Sequence, residues 1–555
     1  MRVMITCFFL FGLGLCARSL YGQVLPSGYP VLEESLRRDQ VLSNDASLLS
    51  FLIRPVAFPN GRDDSLQVEY PEKGKWAIRA TPLRGTGILN SKKPYWHSPN
   101  GMIPGKGGQI YLSGGVEWSH KHFHILVQPE FILAQNQPYF GYGPLNKPGA
   151  DQHRFFQWSR GDQPERYGNG HYSRMGFGQS KFTYVFGAFE AGFATQNIWW
   201  GPGQWNALTF SNHAPGFPHF TVNTHQPAKT FFGKLEMQMV SGALTPKRYP
   251  VSQDDALNQQ YHRPRRKSTK YLNALNVTIQ PKWIKGLYLG ASRTVQTFAD
   301  SLEWGFIDIL PVFWGVTKES VGSDLIGESD KGRDQQITVF FRYVLQKSHF
   351  EFYGEFGRRD HALNWRDFTL NPSHARAFLI GFNKLIPLTE NKSIQLRAES
   401  THQKESLDVW VREGSSFSWH TNESMGGFTH WDQPLGVGIG LGSNVQVLEV
   451  AMVKGMNKVG LIFERLDNNT DHYHNAQLST VNRKPWVDLG IGFLFDKRWD
   501  RLLISSKFQM NRTYNYQWRF EPMSHPDFPK GNTFNSFHFQ SSLIYFWDLP
   551  LKKIP

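Results

Sequence analysis

The stretch Leu502-Leu503-Ile504-Ser505-Ser506-Lys507-Phe508-Gln509-Met510-Asn511 alternates apolar and polar side chains. Leu502, Ile504, Phe508 and Met510 alternate with Ser505, Lys507, Gln509 and Asn511. A period of two places the two sets on opposite faces of an extended strand, one apolar and one polar. The run Ser536 to Trp547 reads the same way, with Phe537, Phe539, Leu543, Tyr545 and Trp547 set against Ser536, His538, Gln540 and Ser542. So do Lys181 to Gly187, Phe350 to Gly357 and Ser393 to Ser400, whose polar faces carry Lys181, Glu351, Glu355, Arg397 and Glu399. Each run is about 8–12 residues, the length of a tilted strand that crosses a membrane.

The runs are joined in two ways. Pro281 to Gly286 and Gln346 to His349 are tight turns, whereas Gly141 to Ser173, Pro246 to Lys270 and Leu363 to His374 are long and polar. Short turns at one end and long loops at the other are the pattern of an outer-membrane barrel. The spacing predicts an all-β chain, a large antiparallel transmembrane β-barrel of about 18 strands. A soluble sandwich or propeller also alternates, but the apolar face here is strongly aromatic, as interfacial girdles are, and no fixed repeat is evident.

Composition agrees. Of 555 residues, 15% are aromatic and 40% hydrophobic, which is too much buriable surface for a disordered chain. No run of 18 or more apolar residues is present, which excludes a helical membrane protein. The formal charge is +14. Met1-Arg2 followed by apolar Val3 to Leu15 reads as a secretory signal, with cleavage expected before Gln23. Both cysteines, Cys7 and Cys16, lie inside it, so no disulfide framework or cysteine-based metal site is expected in the exported chain. An exported basic chain is expected to meet anionic glycans or lipid headgroups, not nucleic acid.

Three divisions are expected: a signal over 1–22, a helical periplasmic segment over 23–70, and the barrel over 71–555. In the second, Leu32, Leu36 and Leu42, then Leu48, Leu49, Leu52 and Ile53, sit at helical spacing. This predicts two helices, the second capped by Asn44 or Asp45 and ended by Pro55. They are also where a periplasmic partner would dock.

Three stretches depart from plain strand: Gln128-Pro129-Glu130-Phe131 through Gly143; Gln196-Asn197-Ile198-Trp199-Trp200-Gly201-Pro202-Gly203 on to His219; and Gly426 through Asn444. Adjacent Trp, Asn and His suit carbohydrate, because indole stacks on sugar rings while amides and imidazoles bond hydroxyls. The same residues also read as Gly/Pro-rich barrel corners with tryptophan as filler. Candidate binding residues are Trp199, Trp200, Asn212 and His219. A basic run, Arg263, Arg265, Arg266 and Lys267, stands in a long loop where it would attract an acidic polymer.

The Trp199-Trp200-Gly201-Pro202-Gly203 block, with Ser211-Asn212-His213-Ala214-Pro215-Gly216-Phe217-Pro218, resembles the Wzi family of capsule assembly proteins. Pro281-Lys282-Trp283, Phe352-Tyr353-Gly354-Glu355 and the Gly440 to Asn444 run support it, and the likeness spreads over roughly residues 30 to 545. The resemblance implies an 18-stranded outer-membrane barrel closed at its periplasmic end by the N-terminal helices. It implies a lectin-like role, without catalysis or cofactor, in holding capsular or extracellular polysaccharide at the cell surface. A porin or polysaccharide export channel is the competing function on the same fold.

Enzyme signatures are few. Glu351 and Glu355 lie about 13 Å apart along one strand, too far for a glycosidase pair. His472 and His474, and His120 with His122 and His124, alternate and would share a strand face, but with 20 histidines chance clustering accounts for them and no metal site is expected.

Overall fold

A computed structural model describes residues 22–25, 27–42, 49–59, 77–120, 122–263, 266, 268–303, 305–314, 333–359, 369–370, 373–406, 419–422, 425–525 and 527–547. The expected signal lies outside these residues up to position 21, as do the proposed caps Asn44 and Asp45.

The alternating runs become the staves of a closed antiparallel barrel. Among the described residues, twenty-three strand segments form its wall. Five staves are each split in two: Ala77–Ala80 with Leu83–Asn90, Gly107–Ser113 with Val116–His120, Phe123–Val127 with Glu130–Ala134, Tyr172–Gly176 with Lys181–Phe186, and His219–Thr224 with Ala228–Lys229. Twenty-three segments less five joins leave eighteen staves, the expected number. The last, Phe534–Tyr545, closes the ring on Leu83–Asn90, with Tyr545 opposite Leu83 and His538 opposite Asn90.

Faces fall as the period of two requires. Phe182, Phe356, Phe508, Phe537 and Phe539 are exposed on the outer wall. Glu351, Glu355, Gln395, Arg397, Glu399 and Gln509 are buried inside. Lipid accepts the first set, and only a filled, polar lumen accepts the second. Connections such as Lys454 to Asn457 and Trp499 to Leu502 are short, whereas Leu244 to Lys270, Phe298 to Asp334 and His402 to Asn444, at the opposite end, are long. The short-turn end is therefore periplasmic and the long-loop end extracellular.

The lumen is filled from both sides. Helix α1, Pro30–Leu42, opens with Pro30 at its first position, where a fixed φ and a missing N–H cost nothing. It lies inside the periplasmic mouth with Val31, Leu32, Glu34, Ser35, Arg37, Arg38, Gln40 and Val41 buried. Its apolar contacts are Met456, Leu503, Ile544 and Phe546 at one end and Leu52, Val344, Leu385 and Val453 at the other. Over the described residues 49–54 the second predicted helix is not formed. Leu52 is non-helical, and Ile53–Arg54 is a short strand paired with Trp199–Trp200. Pairing across the lumen outweighs the local helical spacing of Leu48 to Ile53. Helix α1 turns most of its surface into the barrel.

Candidate functional site

The Trp-Trp-Gly-Pro-Gly block is the seat of the plug. Trp199 pairs with Arg54 and Trp200 with Ile53, and the amide of Gly201 donates to the carbonyl of Leu52 at 2.9 Å. Arg54 donates to the carbonyls of Gly201 (2.9 Å) and Gly203 (3.3 Å), and Arg37 to that of Pro202 (2.8 Å). Arg54 also lies 5.1 Å over the Trp199 ring and pairs with Glu33 of α1 at 2.5 Å. Gly201 has φ +115°, and a Cβ there would overlap the Glu355 carboxylate, so only glycine fits.

From this seat the chain crosses the lumen, suspended from two wall carboxylates. Glu355 accepts from the amides of Leu208 (2.8 Å) and Gly203 (3.4 Å). Glu399 accepts from those of Gln204 (2.7 Å), Trp205 (3.2 Å) and Asn206 (3.0 Å). The stretch Gly426 to Asn444 crosses above it. Leu435 accepts from the Ser211 amide at 2.7 Å, and Gly438 sits against the His213 ring with no room for a side chain. Burial pushes His213 down to about 4, so it stays neutral.

The predicted binding residues separate here. Trp200 is 1% exposed, with its indole N–H on Gln238 at 2.8 Å. Trp199 is buried against Arg54. The Asn212 amide donates to Asn100 at 3.1 Å, and His219 bonds the Phe217 carbonyl at 2.7 Å. All four are buried inside the barrel, Trp199 Nε1 and Asn212 Oδ1 without a hydrogen-bond partner among the described residues. Arg263 and Arg266 are on the extracellular side; Arg265 and Lys267 lie outside the described residues. Arg266 pairs with Asp300 at 2.8 Å.

Two cavities open beneath the extracellular loops. The inner one, about 190 Å³, is lined by Tyr95, Trp96, Tyr139, Trp158, Trp486 and Tyr516, with Lys93, Arg154, Glu165 and Asp488 among them. Lys93 pairs with Asp488 at 2.5 Å and stands 5.7 Å over Trp486. Arg154 lies 4.3 Å over Trp158, and burial lowers it to about 10. Trp96 Nε1, Gln517 Oε1 and His538 Nε2 line this cavity buried and without a hydrogen-bond partner among the described residues. Such atoms are normally satisfied by water or by a ligand's polar groups.

The outer cavity, about 430 Å³, is lined by Arg248, Tyr249, His262 and Arg263 together with Asp162, Asp255 and Asp432. Trp158 and Pro164 belong to both cavities, so the two share a wall. Trp158 stands on the helix Ala150–Gly161, inside the long loop that follows the Gln128 stretch. The sequence reading missed Trp158 and Trp486 because neither sits in a dense motif; aromatics placed in loops, off the strand period, were the available signal.

His472 and His474 lie on a short helix, Thr470–Asn475, not on a strand, so their alternation does not give them a shared face. His472 instead meets His153, Nδ1 to Nδ1 at 3.1 Å, with the rings stacked at 5.3 Å. His124 bonds Glu117.

The family described as "Capsule assembly protein Wzi" matches residues 91–514. Among solved structures, Wzi of Escherichia coli, described as an outer-membrane protein involved in group 1 capsule assembly and a carbohydrate-binding β-barrel, is 14% identical with a TM-score of 0.57. The match covers 95% of this chain and 100% of that one. OccAB2 of Acinetobacter baumannii is 8% identical with a TM-score of 0.38, over 85% of this chain and 98% of that one. No curated protein gives a significant match.

Proposed function

Because the chain belongs to the Wzi family of capsule assembly proteins, an outer-membrane β-barrel family, we propose that it binds capsular or extracellular polysaccharide and holds it at the cell surface without catalysis. The observation that carries this reading is the inner cavity, where loop aromatics, paired charges and unpartnered buried polar atoms converge on the extracellular side. Trp158 and Trp486 offer indole faces to sugar C–H groups; Lys93 and Arg154 offer donors to hydroxyl and carboxylate oxygens, and Gln517 Oε1 offers an acceptor to a hydroxyl. Arg263 and Arg248, in the outer cavity, meet the acidic groups of the polymer. Trp199, Trp200, Asn212 and His219 hold the plug and the lumen crossing under this site and serve binding through that support.

The competing channel reading requires an open lumen. Helix α1, the crossing held by Glu355 and Glu399, and the Gly426 to Asn444 stretch all occupy that space, which favours a binding protein. Titration of the detergent-solubilised chain with purified acidic capsular polysaccharide tests the proposal. Saturable binding that weakens with added salt is expected, and weaker still in Trp158→Ala. Salt-independent binding, or none, removes the reading.

A further inference from the structure

The long connection between the staves Leu287–Phe298 and Asp334–Leu345 does not simply rise into the medium. Its first part, through the short helices Phe306–Ile309 and Pro311–Phe313, folds back down over the outside of the barrel. On the three staves around it, Lys270–Pro281, Leu287–Phe298 and Asp334–Leu345, even-numbered residues face the lumen and odd-numbered ones face out. Farther from the extracellular rim the outward residues Val277, Leu289, Ile337 and Val339 are exposed, as a lipid-facing wall requires. Nearer the rim the outward residues are covered: Asn273 is 0% exposed, Val295 1%, Thr297 4% and Gln335 8%.

The cover is this strap. The Val312 amide donates to Asn273 Oδ1 at 3.2 Å, and Arg293 donates to the Val312 carbonyl at 3.0 Å and to Gln335 Oε1 at 2.9 Å. The Tyr271 hydroxyl donates to the carbonyl of Ile309. The strap thus satisfies outward polar groups that lipid would leave unpaired. Its own outer side is apolar. Phe306 is 61% exposed, Ile307 47%, Ile309 38% and Phe313 54%. This surface is continuous with the exposed belt of Val277 and Ile337 directly beneath it.

We propose that the Phe306–Phe313 strap is a lipid-docking element, seated among the upper acyl chains and headgroups of the outer leaflet. Its polar inner side is matched to the barrel wall and its apolar outer side extends the membrane belt upward, so the occupant of that side is lipid. The strap pins the start of a long extracellular connection to the membrane surface.

The test places an environment-sensitive fluorophore on Ile307→Cys in the full chain, reconstituted in phosphatidylcholine vesicles. Leu289→Cys, on the belt, is the lipid reference, and Met523→Cys, 97% exposed on another extracellular connection, is the aqueous one. Quenching is read with phosphatidylcholine carrying a nitroxide near the top of one acyl chain, and with iodide. The Ile307 label is expected to follow Leu289, quenched by the lipid nitroxide and protected from iodide. A label that follows Met523 overturns the proposal. A label shielded from both quenchers also overturns it, because protein, a second copy included, then covers the strap.

Discussion

The guanidinium of Arg37, on the N-terminal helix, donates at 2.8 Å to the carbonyl of Pro202, in the middle of the Trp-Trp-Gly-Pro-Gly block. The residues are 165 positions apart, and the bond joins the plug to the segment that crosses the lumen. Arg37 also reaches Glu351 at 3.3 Å on the wall, and the same carboxylate pairs with Arg342 at 2.5 Å. Plug, crossing and wall therefore share one buried charge network. Removing one partner from such a network costs about 3–5 kcal/mol, because it strands the others without solvent.

Arg37→Ala combined with Arg54→Ala is expected to release the plug while leaving the barrel folded, because the stave ladder does not involve either side chain. Planar-bilayer recording checks this. The double variant should show channel events that the native protein lacks; identical silent traces would show that the remaining contacts of α1, Glu34 with Lys458 and Arg38 with Gln395 among them, are enough to hold it.

Glu399→Gln is expected to loosen the crossing. One carboxylate accepts from three consecutive amides, and a carboxamide has a single acceptor oxygen. Each buried amide left unpaired costs about 1–3 kcal/mol. Native-state hydrogen exchange should accelerate at Gln204, Trp205 and Asn206 and stay unchanged in the staves.

Trp158→Ala and Trp486→Ala are each expected to weaken polysaccharide binding about tenfold, roughly 1.4 kcal/mol. Arg263→Ala should act mainly at low salt, because a rim charge is screened. Binding isotherms at two salt concentrations separate the two effects.

Acid is expected to loosen the extracellular cap. Burial, with Arg154 and Arg160 nearby, lowers His153 to about 4, and burial, with Arg154 and His153 nearby, holds His472 well below its usual value. Both are neutral when folded. Between the unfolded value near 6.5 and about 4, the unfolded loops take up protons that the folded ones refuse, so stability falls as pH falls through that window. Above 6.5 the pair contributes no pH dependence. Protection factors over 150–161 and 470–475, which remove the slower intrinsic exchange in acid, should fall between pH 7.5 and pH 5, and His472→Gln should flatten the change.

Much of the barrel was legible because its code is local. Alternation in Leu502 to Asn511 or Ser536 to Trp547 assigns each side chain to lipid or lumen without knowledge of any neighbour. Turn spacing brought the number of staves to about eighteen, even though five staves are broken at places such as Gly114-Gly115 and Gln128-Pro129. The second N-terminal helix failed for the opposite reason. Leu49, Leu52 and Ile53 have helical spacing, but Ile53 and Arg54 pair with Trp200 and Trp199, nearly 150 residues away, and that pairing prevailed. The prominent motif drew attention to Trp199 and Trp200 as ligand contacts, whereas the structure uses them to seat the plug. Trp158 and Trp486 come together only when separate loops meet above the lumen, which no sequence window contains.

The loop-lined cavity is where this chain is proposed to hold polysaccharide on the cell surface. The most direct measurement compares attached and shed polysaccharide, with the total assayed alongside, in a strain lacking the gene and complemented with either the native chain or Trp158→Ala/Trp486→Ala. An unchanged total, with the attached fraction lost on deletion, restored by the native chain and not by the folded double variant, is the predicted result. Polysaccharide accumulating inside the envelope, or an attached fraction indifferent to both deletion and variant, would contradict it.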